Sequence, residues 1–412
     1  MQQATNERTG GQILIDQLLI NEVDSIFAVP GESYLAALDA LYGARNQIKL
    51  ITCRQEGGAT FMAEAFGKVT GKPGVCFVTR GPGACNASIA VHTAMQDSTP
   101  LVLFVGQVAR NMSGREAFQE IDFTKMFAPP LTKLAVQIED PRRIPEIVHH
   151  AFRTALSGRP GPVVVALPED MLTEKCTAND GLKASAVRPQ TSPAQVAQVR
   201  KALEKASRPI MILGGGGWSP EACKNIEKFS VKNKLPTAVS FRRQDLFDNH
   251  NEFYIGDLST GVDPALSRRI KGADLLLVVG ARMGEITTQG YSVINTPVPD
   301  TTMIHVYAEA LEFGKVFQPE IAVLSGMDSF SLEASAMPGV ETIPWEDWAK
   351  DARNDYLKTL KPDEIEGPLD PAFVINLLQK KLPSNTIVTV DAGNFSGWAH
   401  RFWRFKHPQT EL

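Results

Sequence analysis

Across 412 residues the sequence carries 42 basic and 46 acidic side chains, for a formal charge of -4, and is 43% hydrophobic and 21% charged. That length suits two or three domains, the composition excludes general disorder, and the charge balance gives no reason to expect nucleic acid or an anionic membrane as partner. The opening residues MQQATNERTGGQ hold no apolar core of a secretory signal, and the apolar runs 101–105 and 275–279 are far shorter than the roughly 18 residues of a membrane helix. Five cysteines (Cys53, Cys76, Cys85, Cys176, Cys223) are scattered without CxxC spacing and read as reduced thiols. The expectation is a soluble cytoplasmic protein.

In chain order, apolar runs at 25–29, 49–53, 74–79, 101–107 and 161–167 predict strands. Between them Met62, Ala65, Phe66 and Val69 recur at i, i+3, i+4 and i+7, the spacing of a helix face. Apolar strands that do not alternate, separated by helices, predict a parallel sheet covered on both faces. A polar stretch at 174–195 reads as a linker. A second block then offers strands at 209–213, 237–241, 274–279, 302–307 and 321–324. A charged linker, 349–368, leads to a final piece with a helix at 371–381 and a strand at 386–390. The aromatic tail of that piece (Phe395, Trp398, Phe402, Trp403, Phe405) would be an apolar patch unusual for a monomer. The fold class is therefore α/β, as tandem parallel-sheet domains over 1–173 and 196–348, with 369–412 too short to be self-sufficient.

Motifs that announce a chemistry are few. There is no GxxxxGK[ST], HExxH or GxSxG, and His149–His150, adjacent on a predicted helix, point in different directions, so no metal ligand is assigned. Gly214, Gly215 and Gly216 follow a strand and precede a helix, but Ser219 stands where GxGxxG needs its third glycine, and Arg242 and Arg243 follow the next strand in place of an acid. A tight turn and a nucleotide site both suit that loop. Gly81-Pro82-Gly83 is likewise a turn stiffened by proline. Glu56 follows a strand at the carboxyl edge of a parallel sheet, where α/β proteins bind ligands. An acid favoured by a helix dipole is the other reading.

Taken in order, the segments 27–33 (FAVPGES), 54–59 (RQEGGA), 62–67 (MAEAFG), 79–86 (TRGPGACN), 97–101 (DSTPL), 118–120 (FQE) and 161–163 (GPV) resemble the pyrimidine-binding domain of thiamine-diphosphate enzymes of the acetolactate synthase and pyruvate oxidase group. The second block is similar to their central domain through Gly214–Gly217, Gly256-Asp257, Gly280-Ala281-Arg282 and Ile304-His305-Val306. Val390-Asp391-Ala392-Gly393 is similar to the opening strand of their diphosphate-binding domain. The resemblance implies thiamine diphosphate as cofactor and carbon–carbon bond chemistry on a 2-oxo acid. It implies that Glu56 binds the pyrimidine ring nitrogen, that Gln119 lies near the reacting carbonyl, and that Pro30, Gly31, Glu32, Thr79, Gly81, Pro82, Gly83 and Asn86 shape the pocket. It also implies a homodimer or homotetramer.

Two departures accompany the match. The family holds Mg2+ and diphosphate through a GDG segment, which is absent from these 412 residues; the expectation is an incomplete diphosphate-binding domain and a truncated chain, inactive alone. FAD is an open alternative for the central domain through Gly214, Gly215, Gly216, Gly280 and Arg282. Against it, the acidic pair expected after 302–307 appears as Ala308-Glu309-Ala310. The rival readings are an NAD(P)- or FAD-binding oxidoreductase and a non-catalytic subunit of the same fold.

Overall fold

The computed structural model describes residues 7–362 and 367–412, so the predicted linker 349–368 lies partly outside the described residues. The chain forms two compact units, Met1–Val187 and Arg188–Leu412.

The first unit is built on six parallel strands in the order Lys49–Thr52, Ser25–Ala28, Gly74–Val78, Leu101–Gln107, Pro162–Pro168 and Leu134–Gln137. Alternate residues of each strand enter different cores. Phe77, Phe104 and Val165 join one cluster, whereas Cys76, Leu103 and Val164 join another, so the sheet is covered on both faces. Every residue of Leu101–Gln107 is buried, each large apolar side chain contributing about 1.5–3 kcal/mol. The chain leaves Ser25–Ala28 toward one side of the sheet, to Lys49–Thr52, and leaves Gly74–Val78 toward the other, to Leu101–Gln107. Connections that diverge in this way open a crevice at the carboxyl ends of the two strands.

The second unit repeats the plan with the order Tyr254–Leu258, Thr237–Ser240, Pro209–Leu213, Leu275–Val279, Thr302–Tyr307 and Ile321–Leu324. Its strands also divide between two cores, Leu213 and Leu277 on one side, Ile212 and Leu276 on the other.

Several elements differ from the sequence reading. Leu134–Gln137 was not expected; it is an edge strand with every residue half-buried, so its apolar pattern is weak. Tyr254–Leu258 carries Gly256 and Asp257, residues that are depleted in strands. The predicted strand 386–390 does not form: Val388 makes a single bridge, to Glu411, and Ile387 is exposed. Of the aromatic tail, Phe402, Trp403 and Phe405 are buried, Trp398 is half-buried and Phe395 is exposed. The buried rings Phe402, Trp403 and Phe405 therefore do not contribute to an exposed apolar patch.

The polar stretch 174–195 straddles the division between the units. Lys175–Cys176 pairs antiparallel with Arg8–Thr9, and the backbone N–H of Gly181 and of Ala184 donates to Gln17 Oε1 (3.0 Å) and Asn21 Oδ1 (2.9 Å). Residues 369–412 belong to the second unit: Asn249 exchanges two hydrogen bonds with the backbone of Phe405, and the N–H of Gln409 donates to Asp245 Oδ2 at 2.7 Å. Among the described residues no helix is long and apolar enough to cross a membrane.

Candidate active site

The helix Glu56–Thr70 begins four residues beyond the strand Lys49–Thr52. Its first turn is capped by Gln55, whose Oε1 accepts from the N–H of Gly58 at 2.8 Å. Glu56 is the first helical residue, where a carboxylate is favoured by the exposed N–H groups. The helix Gly81–Asp97 opens with Pro82 in its first turn, at the carboxyl end of Gly74–Val78. The two helix starts approach closely because Gly57 has no side chain; a Cβ there would lie 3.1 Å from the carbonyl of Asn86. That approach brings Asn86 Nδ2 to 2.9 Å from Glu56 Oε2. Glu56 is half-buried and Asn86 exposed.

Around this pair the turns are tightly fitted. A Cβ on Gly83 would stand 3.0 Å from Thr79 Cγ2 and 3.6 Å from Glu56 Oε1, and one on Gly31 would stand 2.6 Å from Thr79 Cβ. Ser33 Oγ and Thr79 Oγ1 are hydrogen-bonded at 3.0 Å, so the loops after Ser25–Ala28 and Gly74–Val78 are locked together at the crevice. Burial raises the pKa of the Tyr34 phenol, which donates to the Val29 carbonyl at 2.5 Å beneath Pro30. The N–H of Gly81 donates to the carbonyl of Gln119 at 3.0 Å, and Gln119 takes a left-handed φ of 64°. The next residue holds that loop: Glu120 accepts from the N–H of Gly114 (2.5 Å) and of Ala117 (3.0 Å), which keeps its carboxyl below the usual carboxylate range.

The structure thus brings together Glu56, Asn86, Gly83, Thr79, Gly31 and the backbone of Gln119. Pro30 and Pro82 are exposed at the rim, and Glu32 reaches toward Arg80 at 3.9 Å. Arg80 lies within the pocket-shaping run Thr79–Asn86, whereas Ser33 was not singled out; its strand-end position was the signal available for it.

Gly214, Gly215, Gly216, Gly280 and Arg282 belong to the second unit. There the ends of two neighbouring strands touch. A Cβ on Gly215 would lie 2.1 Å from the Gly280 carbonyl, and one on Gly280 would lie 2.5 Å from the Gly214 carbonyl. Gly215 and Gly280 also have φ of 67° and 76°, conformations glycine adopts at least cost. Backbone packing therefore accounts for Gly215 and Gly280 without a phosphate, and a Cβ on Gly214 would lie 2.1 Å from Ser240 Oγ. Among the described residues no three His, Cys, Asp or Glu side chains converge as a metal site.

The chain is an α/β protein whose half-buried carboxylate, amide partner and glycine-lined turns lie in the crevice of a six-stranded parallel sheet, the place where such sheets bind small molecules. Residues 8–126 match the thiamine pyrophosphate enzyme N-terminal TPP binding domain, and residues 196–333 match the thiamine pyrophosphate enzyme central domain. The two segments cover more than half of the chain, which belongs to the thiamine pyrophosphate enzyme family. It is 32% identical over 412 residues to the acetolactate synthase large subunit of Parasynechococcus marenigrum, spanning 96% of this chain and 65% of the relative. It is 29% identical over 423 residues to the large subunit of Corynebacterium glutamicum (99% and 66%), and 29% identical over 412 residues to the isozyme 1 large subunit of Escherichia coli (98% and 71%). The chain thus spans just under two thirds of the length of the first two relatives.

Proposed function

We propose that this chain supplies the pyrimidine-binding side of a thiamine-diphosphate enzyme that makes or breaks a carbon–carbon bond on a 2-oxo acid, the chemistry named in its acetolactate synthase relatives. The observation that carries the reading is the Asn86–Glu56 pair beside the glycine turn Gly81–Gly83 at the sheet crevice. The residues fit such a ring: Asn86 engages Oε2 of Glu56, Oε1 accepts no hydrogen bond from the described residues, and glycines at 31 and 83 keep the surrounding backbone close. When bound, thiamine diphosphate supplies the carbanion stabilisation that side chains lack. Glu56 holds a proton at the pyrimidine nitrogen, and Asn86 orients the Glu56 carboxyl. Pro30, Gly31, Glu32, Thr79, Gly81, Pro82 and Gly83 shape the pocket, and Gln119 lies toward the reacting carbonyl.

The other parts of the reading follow from the same resemblance. Within the second unit, residues 196–348 act as the central domain and residues 369–412 belong to a diphosphate-binding domain, and the working assembly is a homodimer or homotetramer. FAD, if held, rests on Gly216 and Arg282, because packing already engages the other glycines; visible flavin absorbance of the purified protein tests this. With no Gly-Asp-Gly segment in these residues, no ligand is assigned to Mg2+ or diphosphate. This polypeptide alone is expected to bind the pyrimidine and to gain little from the diphosphate.

Calorimetric titration with thiamine, and separately with thiamine diphosphate plus Mg2+, tests the proposal. The expected result is saturable binding of both, with affinities within roughly tenfold of each other. Absence of binding to either by the folded chain contradicts the proposal, and a diphosphate complex tighter by orders of magnitude contradicts the assignment of the diphosphate side elsewhere.

A further inference from the structure

The turn that carries Gly81 and Gly83 begins with an arginine, and general stability rules disfavour it there. Arg80 is the N-cap of the helix Gly81–Asp97, whose exposed N–H groups form a positive end, so a cation at this position is repelled. It is also buried, and a buried guanidinium is costly unless paired. Its Nη2 donates to Glu169 Oε2 at 2.5 Å, its Nη1 lies 3.9 Å from Glu32 Oε1, and its Nε has no hydrogen-bond partner among the described residues.

Glu169 is itself fixed. It opens the short helix after the strand Pro162–Pro168, and its neighbour Asp170 accepts from Arg110, from the backbone N–H at 3.0 Å and from Nε at 2.7 Å. Arg110 also donates to Glu174 at 2.7 Å and to the Glu139 carbonyl at 2.6 Å. Through two arginines, the loops after five of the six strands are joined along the carboxyl edge, four by ion pairs and the loop after Leu134–Gln137 by a hydrogen bond to a backbone carbonyl. The sixth, after Lys49–Thr52, carries Glu56 and is joined through Asn86.

From this geometry we infer that Arg80 is the positioning residue of the site. Clamped by Glu169, it fixes the turn Thr79–Gly83, and that turn sets both the Gln119 loop, through the Gly81 N–H, and the helix start that presents Asn86 to Glu56. The inference rests on the proposal that this edge binds a pyrimidine. Arg80 does not touch the ligand; it acts through the turn. The planar fork reaches a carboxylate at the end of a strand two places away in the sheet, which a compact ammonium does less well.

The test is calorimetric titration of the purified chain with thiamine, alongside thermal melting, for wild type, Arg80→Met, Arg80→Lys, Glu169→Gln and Glu56→Gln. Arg80→Met is expected to weaken binding roughly tenfold or more, since small misplacements of a site carry penalties of that size. Glu169→Gln is expected to weaken it in the same direction, Arg80→Lys to recover part of the loss, and the Arg80→Met and Glu169→Gln effects to be less than additive when combined. Lower melting temperatures with thiamine affinity unchanged, measured well below melting, would make Arg80 merely structural and overturn the inference. Should Arg80→Met fail to fold, Glu169→Gln decides alone, because its carboxylate is partly exposed: unchanged affinity there overturns the inference. Binding lost in Glu56→Gln but intact in both Arg80→Met and Glu169→Gln would sink this inference and leave the pyrimidine proposal standing. No binding by wild type would sink both.

Discussion

Nδ2 of Asn86 donates to Oε2 of Glu56 across 2.9 Å, joining the second turn of one helix to the first turn of another that starts from a different strand of the same sheet. The bond orients the carboxyl and fixes little else, since Asn86 is exposed. Asn86→Ala should therefore change stability by less than about 1 kcal/mol. It should weaken thiamine binding by roughly three- to tenfold, the usual net worth of one hydrogen bond. Thermal melting and calorimetry on the same samples separate the two effects.

The Ser33–Thr79 lock depends on glycines on either side of it. A Cβ on Gly106 would fall 2.0 Å from Ser33 Oγ, and Ser33 is fully buried and has nowhere to move. Gly106→Ala and Gly31→Ala should each cost about 1–3 kcal/mol or more through overpacking. Gly43→Ala, at the end of a helix with nothing within 4 Å, should be close to neutral. Denaturant unfolding followed by circular dichroism reads the difference.

In the second unit the corresponding comparison is Gly215→Ala with Gly217→Ala. Both positions have φ above 60°, but a Cβ meets the Gly280 carbonyl at 2.1 Å in the first and open space in the second. The open site should show only the strain of a left-handed residue, about 1 kcal/mol, and the blocked site clearly more. All five tryptophans (Trp218, Trp345, Trp348, Trp398, Trp403) lie in this unit, so their fluorescence reports its unfolding alone. Equal losses would contradict the packing account of the glycine loop.

His305 gives a dependence on pH. It is buried on the strand Thr302–Tyr307, and its Nε2–H donates to the Ala281 carbonyl at 2.9 Å. Burial pulls its pKa down from 6.5 to about 4, against the opposing pull of that hydrogen bond. The folded ring therefore stays neutral while the unfolded ring takes a proton. Stability from this group is fully present above about pH 6.5 and is lost as pH falls toward about 4, up to roughly 3 kcal/mol. The difference between wild type and His305→Gln, followed by tryptophan fluorescence in urea, should show that slope. A difference flat from pH 7 to about 4 would contradict it.

What could be read from residue order followed the strength of local pattern. Leu101–Gln107 and the turn Thr79–Gly83 were legible because one is continuously apolar and the other carries Gly-Pro-Gly at a strand end. Leu134–Gln137 was not, since a half-buried edge strand has little apolar contrast. The run 386–390 has strand-forming residues, but it pairs with the last few residues of the chain alone and through one bridge, too short a ladder to make a strand. Glu56 and Asn86 could each be nominated, but their bond could not, because it depends on how two helices pack. The Arg80–Glu169 pair spans 89 residues of sequence, and no spacing rule connects them.

The most direct measurement is titration of wild type and Glu56→Gln with thiamine under identical conditions, with melting checked for both. The account predicts saturable binding by wild type and an affinity at least roughly tenfold weaker in Glu56→Gln, with folding intact. Equal binding by the two proteins would mean that the carboxylate at the sheet crevice is not what holds the pyrimidine.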